Sequence, residues 1–169
     1  MRVLATIAAS LVLLADCRAQ QPPSRSASIG ETCVVRRVVD GDTFHCADGL
    51  KVRLIGIDTP ERGQGEAARR ASAALRRLVP PGSRVRLETD VQVTDRYGRR
   101  LAYAWRDTLL VNEALVREGW ALLYTVPPNL RYADRLQAAQ RRAREARTGL
   151  WATGGFACTP RDFRARRCR

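Results

Sequence analysis

The chain has 169 residues, with 30 Lys and Arg against 17 Asp and Glu, a formal net charge of +13 and a pI near 11.0. That length allows one domain plus ends and buries a core without depending on disulfides. The positive excess implies an acidic partner, most simply nucleic acid, with an acidic surface or plain solubility as the other accounts.

The cations are nearly all arginine, with Lys51 the only lysine. A coding bias explains the choice of arginine but not the excess. At the N-terminus, Arg2 precedes an apolar run from Val3 to Ala15, then Asp16-Cys17-Arg18-Ala19. The run is too short to span a bilayer. It reads as a secretory signal over residues 1–19, cleaved after Ala19. A lipoprotein anchored at Cys17 is the alternative, with Asp16 a poor residue before a lipidated cysteine; an uncleaved anchor fits the short run less well. The expected product is a monomer, periplasmic or secreted, with no stable membrane span. Residues 20–32 read as a linker rich in Pro, Ser and Gln, 33–151 as the folded domain, and 152–169 as a basic tail with a cysteine pair.

Removal of residues 1–19 leaves Cys33, Cys46, Cys158 and Cys168, an even set expected to be oxidised after export. Cys33 and Cys46 flank the turn Asp40-Gly41-Asp42, and a hairpin there brings them close. The expected pairs are Cys33–Cys46 and Cys158–Cys168, the second pinning the tail without touching the chemistry. A pairing of Cys33 with the C-terminal cysteines stays open. No CxxC is present, and His45, the only histidine, reads as a surface strand residue.

Strands are expected over Val34–Val39 and Thr43–Cys46. Lys51–Ile57 is a third, so continuously apolar that it reads as buried on both faces. Glu66–Val79 is a helix, with Ala68, Ala71, Leu75 and Leu78 on one side and Arg69, Arg70, Arg76 and Arg77 on a solvated face. Pro80-Pro81-Gly82 stops it. Arg84–Glu88 and Arg100–Trp105 are strands, Leu110–Glu118 is a short helix, and Leu130–Arg147 is a long amphipathic one. The fold class is α+β, mainly β: a five-stranded barrel such as an OB-fold, with three packed helices. Periodicity alone does not separate it from other α+β layouts.

Three segments carry polar residues that a core does not need. They are Asp40-Gly41-Asp42-Thr43, Arg53 with Asp58-Thr59-Pro60-Glu61, and Asp95-Arg96-Tyr97-Gly98-Arg99. Carboxylates at a strand end suit a hard cation. A second carboxylate steers a water, and an arginine answers a phosphate with two hydrogen bonds. Each segment alone has a plainer account as a turn, a helix cap or a surface ion pair.

In this order and spacing, together with Val111-Asn112-Glu113-Ala114-Leu115-Val116 and Gly149-Leu150-Trp151, they resemble the staphylococcal nuclease family. The resemblance covers about Val34 to Trp151 and implies an OB-fold barrel with three helices. It implies a Ca²⁺-dependent nuclease acting on DNA and RNA, with products ending in 3′-phosphate. Asp42 and Asp58 match the carboxylate ligands of Ca²⁺, and Thr59 matches a backbone-carbonyl ligand. Glu61 matches the general base; Arg53 and Arg99 match the arginines that hold the scissile phosphate. Tyr97 matches a phosphate-bonding tyrosine, and Asp40 an acidic neighbour of the metal. Arg96 stands where the family has a lysine. Tyr124 matches one of two tyrosines near the base pocket, and Thr125-Val126-Pro127-Pro128 follow where the other is expected. Only Arg62 to Gly65 separate Glu61 from the next helix, so a covering loop is mostly absent, and the tail has no counterpart. Arg53 and Glu61 are expected at a strand end outside the core. The rival reading is a non-catalytic nucleic-acid-binding module on the same fold.

Overall fold

A computed structural model describes residues 30–168. The expected signal segment, its cleavage point, Cys17 and most of the expected linker lie outside the described residues. The strands are β1 (Glu31–Val38), β2 (Thr43–Cys46), β3 (Lys51–Leu54), β4 (Gly56–Asp58), β5 (Arg84–Glu88), β6 (Arg100–Arg106), β7 (Leu109–Leu110) and β8 (Leu122–Tyr124). The helices are α1 (Gly65–Leu78), α2 (Val111–Arg117), α3 (Ala133–Glu145) and α4 (Pro160–Arg164).

The strand order β3-β2-β1-β5-β6 closes on itself through a parallel β6–β3 pairing, which makes a five-stranded OB-fold barrel. Closure depends on β1, which serves two neighbours. Its first half, Glu31 to Val34, pairs with β5, and Val35 to Val38 pairs with β2. The register slips between Val35 and Arg37. That bulge resets the alternation, so Cys33, Val35 and Val38 all point inward. Phe44, Leu54, Leu75, Leu87, Tyr103 and Leu115 are fully buried, each contributing about 1.5–3 kcal/mol by leaving water. The Cys33–Cys46 disulfide, with Cα atoms 5.6 Å apart, ties β1 to β2 inside this core. A second disulfide joins Cys158 to Cys168.

The expected third strand is two strands. The apolar run continues, but Gly56 has φ +78° and the chain leaves the barrel there. A Cβ at Gly56 would lie 2.6 Å from Leu136 of α3. The fully buried Asn112 holds the break: its amide donates to the Ile55 carbonyl at 2.8 Å and accepts from the Ala104 N–H at 3.0 Å. β4 then pairs with β8, a strand that periodicity does not mark.

The last long helix starts at Ala133, not Leu130, because the segment before it is recruited elsewhere. The Asn129 side chain bonds both backbone groups of Gln92, and the Arg131 N–H donates to Asp90. At the other end Arg147 has φ +50°, which stops the helix. On α1 the arginines are exposed, and Arg69 and Arg70 pair with Glu66, as a solvated face should. His45 is half-buried on β2. Among the described residues no helix is long and apolar enough to cross a membrane.

Candidate active site

One cleft of about 340 Å³ is lined by Asp40, Asp42, Arg53, Asp58, Thr59, Glu61, Arg96, Tyr97, Arg99 and Tyr124, together with Arg164. Every residue to which the resemblance gives a catalytic, metal or substrate role therefore lines this one cleft. The β1–β2 turn brings Asp40 and Asp42, β3 brings Arg53, and the end of β4 brings Asp58, Thr59 and Glu61. The turn before β6 brings Arg96, Tyr97 and Arg99, and β8 ends in Tyr124. The cleft continues into a neighbouring hollow of about 510 Å³, floored by Gly56 and walled by Tyr124, Val126 and Asn129.

Asp42 and Asp58 are 6% and 4% exposed. A buried carboxylate must be hydrogen-bonded or paired. Asp42 accepts from the Thr59 hydroxyl at 2.9 Å, the Thr59 N–H at 3.2 Å and the Thr43 hydroxyl at 3.0 Å. Arg53 bridges the two acids, with Nε 3.2 Å from Asp42 Oδ1 and Nη2 3.4 Å from Asp58 Oδ1. Its Nη1 donates to the Ile57 carbonyl at 3.1 Å and also to that of Leu54. Only 15% of the Arg53 side chain is exposed, so it sits inside the structure and not at an open strand end. Gly41 lets these parts converge, since a Cβ there would lie 2.6 Å from the Thr59 hydroxyl and 2.9 Å from Ala71.

Burial pushes the Asp40 carboxyl up to about 6, and the nearby Asp42 charge adds to it. Burial also raises Asp58, against the pull of Arg164 and Arg53. Two buried, mutually repelling carboxylates are the hard oxygen donors that Ca²⁺ takes. Asp42 and Asp58 thus fit such a cation in chemistry. Among the described residues no three of His, Cys, Asp and Glu converge into a metal site; guanidinium groups of Arg53 and Arg164 stand beside the acids.

The sequence offers Asp95 only as part of a turn with a surface ion pair. Its Oδ1 accepts from the N–H of Tyr97 at 2.9 Å and of Arg99 at 3.0 Å, and its Oδ2 lies 2.7 Å from the Arg99 guanidinium. Asp95 folds the turn and aims Arg99 at once. Arg96 lies over the Tyr97 ring and donates to its hydroxyl at 2.7 Å.

The expectation that the disulfide-closed tail stays clear of the chemistry is wrong. Arg164 of α4 enters the cleft, with Nη1 3.1 Å from Asp58 Oδ1 and Nη2 2.7 Å from Asp58 Oδ2. Its Nη1 also donates to Glu61. The only sequence signal was the cysteine pair around an arginine-rich stretch, which promises an ordered loop but not its location. The tail lies beside the short Arg62–Gly65 connection, where the resemblance implied a longer loop.

The model for staphylococcal nuclease homologues matches residues 51–153. The thermonuclease of Staphylococcus hyicus is 35% identical over 162 residues, covering 89% of this chain and 95% of that protein. The thermonuclease of Staphylococcus intermedius is 37% identical over 129 residues, covering 72% and 77%. Endonuclease YncB of Bacillus subtilis is 31% identical over 156 residues, covering 86% and 73%. With the barrel and the cleft at its mouth, these matches show that the chain belongs to the staphylococcal nuclease family.

Proposed function

We propose that this protein is an exported, Ca²⁺-dependent nuclease that hydrolyses phosphodiester bonds of DNA and RNA with little sequence preference. The observation that carries the reading is the pair of buried acids, Asp42 and Asp58, sharing one cleft with Glu61, Arg53 and Arg99. The names of the relatives, thermonuclease and endonuclease, support it. Bound by Asp42 and Asp58, Ca²⁺ would supply positive charge to the phosphate oxygens.

The chain's own groups do the rest. Arg53 and Arg99 set positive charge beside the anionic phosphate, Arg53 anchored on Asp42 and Asp58 and Arg99 on Asp95. Charge grows on those oxygens as water attacks, and fixed guanidiniums stabilise that charge without reorganising. Glu61 orients the water and takes its proton while the oxygen–phosphorus bond forms. The bond to the leaving sugar oxygen breaks, and solvent protonates that oxygen. Arg96 and Tyr97 extend the contact along the backbone. Tyr124 offers a ring face to a base, worth about 1–3 kcal/mol when stacked. Disulfides suit an oxidising compartment, so export with removal of residues 1–19, and a division into linker, domain and tail, belong to the same reading.

The test is digestion of plasmid DNA and of RNA with Ca²⁺ and with chelator. Cleavage only with Ca²⁺ is expected, lost in Asp58→Ala. Full cleavage in chelator sinks the cation's role. Tight binding with no cleavage under any divalent cation favours the binding-module alternative.

A further inference from the structure

We propose that Arg164 is a tethered guanidinium that competes with the divalent cation for Asp58, and that the Cys158–Cys168 disulfide keeps it in place. The inference rests on the cation-dependent reading above. Arg164 takes both Asp58 oxygens, at 3.1 and 2.7 Å, and also Glu61. A planar fork on a carboxylate is the strong form of such a pair. A cation can reach those oxygens only after one guanidinium withdraws.

Two guanidiniums contact Asp58, and burial decides which one moves. Arg53 is 15% exposed and bonded to two main-chain carbonyls. Arg164 is 41% exposed and bonded to side chains alone. It reaches in from a surface helix, so solvent can take it back at little cost.

The tail is built to present it. Thr159 caps α4, accepting from the Asp162 N–H at 3.1 Å, and Arg167 pairs with Asp162 at 2.6 Å. Gln64 donates to the Cys158 carbonyl at 2.8 Å. Phe163 covers Gly63 so closely that a Cβ there would lie 2.6 Å from its ring. The disulfide closes this segment over a separation of 10 residues. A closed loop confines the guanidinium near Asp58, and opening it lowers the effective concentration of Arg164 there. The tail thus sets the cation level at which the site fills, and it does so more strongly when oxidised.

The test is calorimetric titration of Ca²⁺ into the mature protein, Arg164→Ala, a Cys158→Ser/Cys168→Ser double variant and Asp58→Ala. Folding of each is checked by circular dichroism. Arg164→Ala should bind Ca²⁺ about two- to five-fold more tightly, the range for releasing a partly exposed ion pair. The double variant should move in the same direction by less. Unchanged or weaker binding by folded Arg164→Ala, while Asp58→Ala abolishes the signal, overturns this inference and leaves the nuclease reading standing. If that variant instead shows unchanged Ca²⁺ affinity with a raised KM for DNA, Arg164 is a phosphate contact and the inference is equally overturned. A full Ca²⁺ signal in Asp58→Ala, or none in any form, overturns the cation reading and this one with it.

Discussion

The Arg53 guanidinium lies 3.2 Å from Asp42 and 3.4 Å from Asp58, between two acids that are almost wholly buried. Removing it strands both charges. Loss of one partner from a buried pair costs about 3–5 kcal/mol, and partial exposure with the remaining Arg164 contact lowers that here. Arg53→Ala should therefore fail twice, with turnover down by about 10²–10³ and a melting temperature lowered in chelator. Added Ca²⁺ should restore the melting temperature but not the rate. Equal melting curves with and without Ca²⁺ would count against shared use of the two acids. Glu61→Gln is the cleaner catalytic probe, because Glu61 is half-exposed and its side chain pairs with the surface residue Arg164. Its turnover should fall about 10²–10⁴-fold, the range for one general base, with the melting temperature nearly unchanged. A rate within a few-fold of wild type rejects the role.

Among the elements, the junction between β3 and β4 matters most to the site, because it sends Asp58 outward while Arg53 stays in the barrel wall. Gly56 makes that turn at φ +78° against Leu136. Gly56→Ala combines a left-handed backbone cost of about 1–3 kcal/mol with an overpacking cost of similar size. The expected result is a loss of about 2–6 kcal/mol in urea unfolding, the sum of the two costs. A loss below about 1 kcal/mol would mean that β4 reaches the site by another route. The β4–β8 pairing is equally local to the site: Gly56 faces Tyr124 and Asp58 faces Leu122, so Asp58 and Tyr124 ride on one ladder.

Over the whole molecule, charge and its distribution govern behaviour. With a net charge of +13, substrate affinity should fall steeply with salt, because each phosphate contact releases counterions. A flat response in filter binding between low and high salt would reduce the arginine faces to solvated surface. Acid stability depends on a different place, the Glu88 carboxylate. It accepts from Trp105 at 2.8 Å, Arg131 at 2.6 Å and Tyr132 at 3.0 Å. Burial pushes Glu88 up, but these donors together outweigh it and hold the folded value below the ordinary one. A depressed folded value means stability present above the unfolded pKa near 4.5, and lost as pH falls through the folded one. Glu88→Gln should cost about 1–2 kcal/mol at neutral pH. The difference from wild type should close as pH drops below 4.5. A gap that persists in acid would assign the loss to packing.

Local chemistry was legible in the chain itself. The Asp40–Asp42 and Asp95–Gly98 turns, the strand ending in Asp58 and Glu61, and the face of α1 depend on neighbours a few residues away. Side-chain caps, glycine conformations and helical periodicity act at that range, so the order of residues carries them. Resemblance then joined the scattered segments into one site. Other features exist only because distant parts meet. The break after Leu54 lies in an unbroken apolar run, and it is held by Asn112, 57 residues beyond Ile55. The last helix loses its first turn to Asp90 and Gln92, which no helical pattern foretells. β8 is too short to signal itself and is a strand only against β4. Arg164 and Asp58 are 106 residues apart. Their contact depends on where the barrel, the short connection after Glu61 and the closed tail leave room for one guanidinium, which is decided by packing and not by any neighbour in the chain.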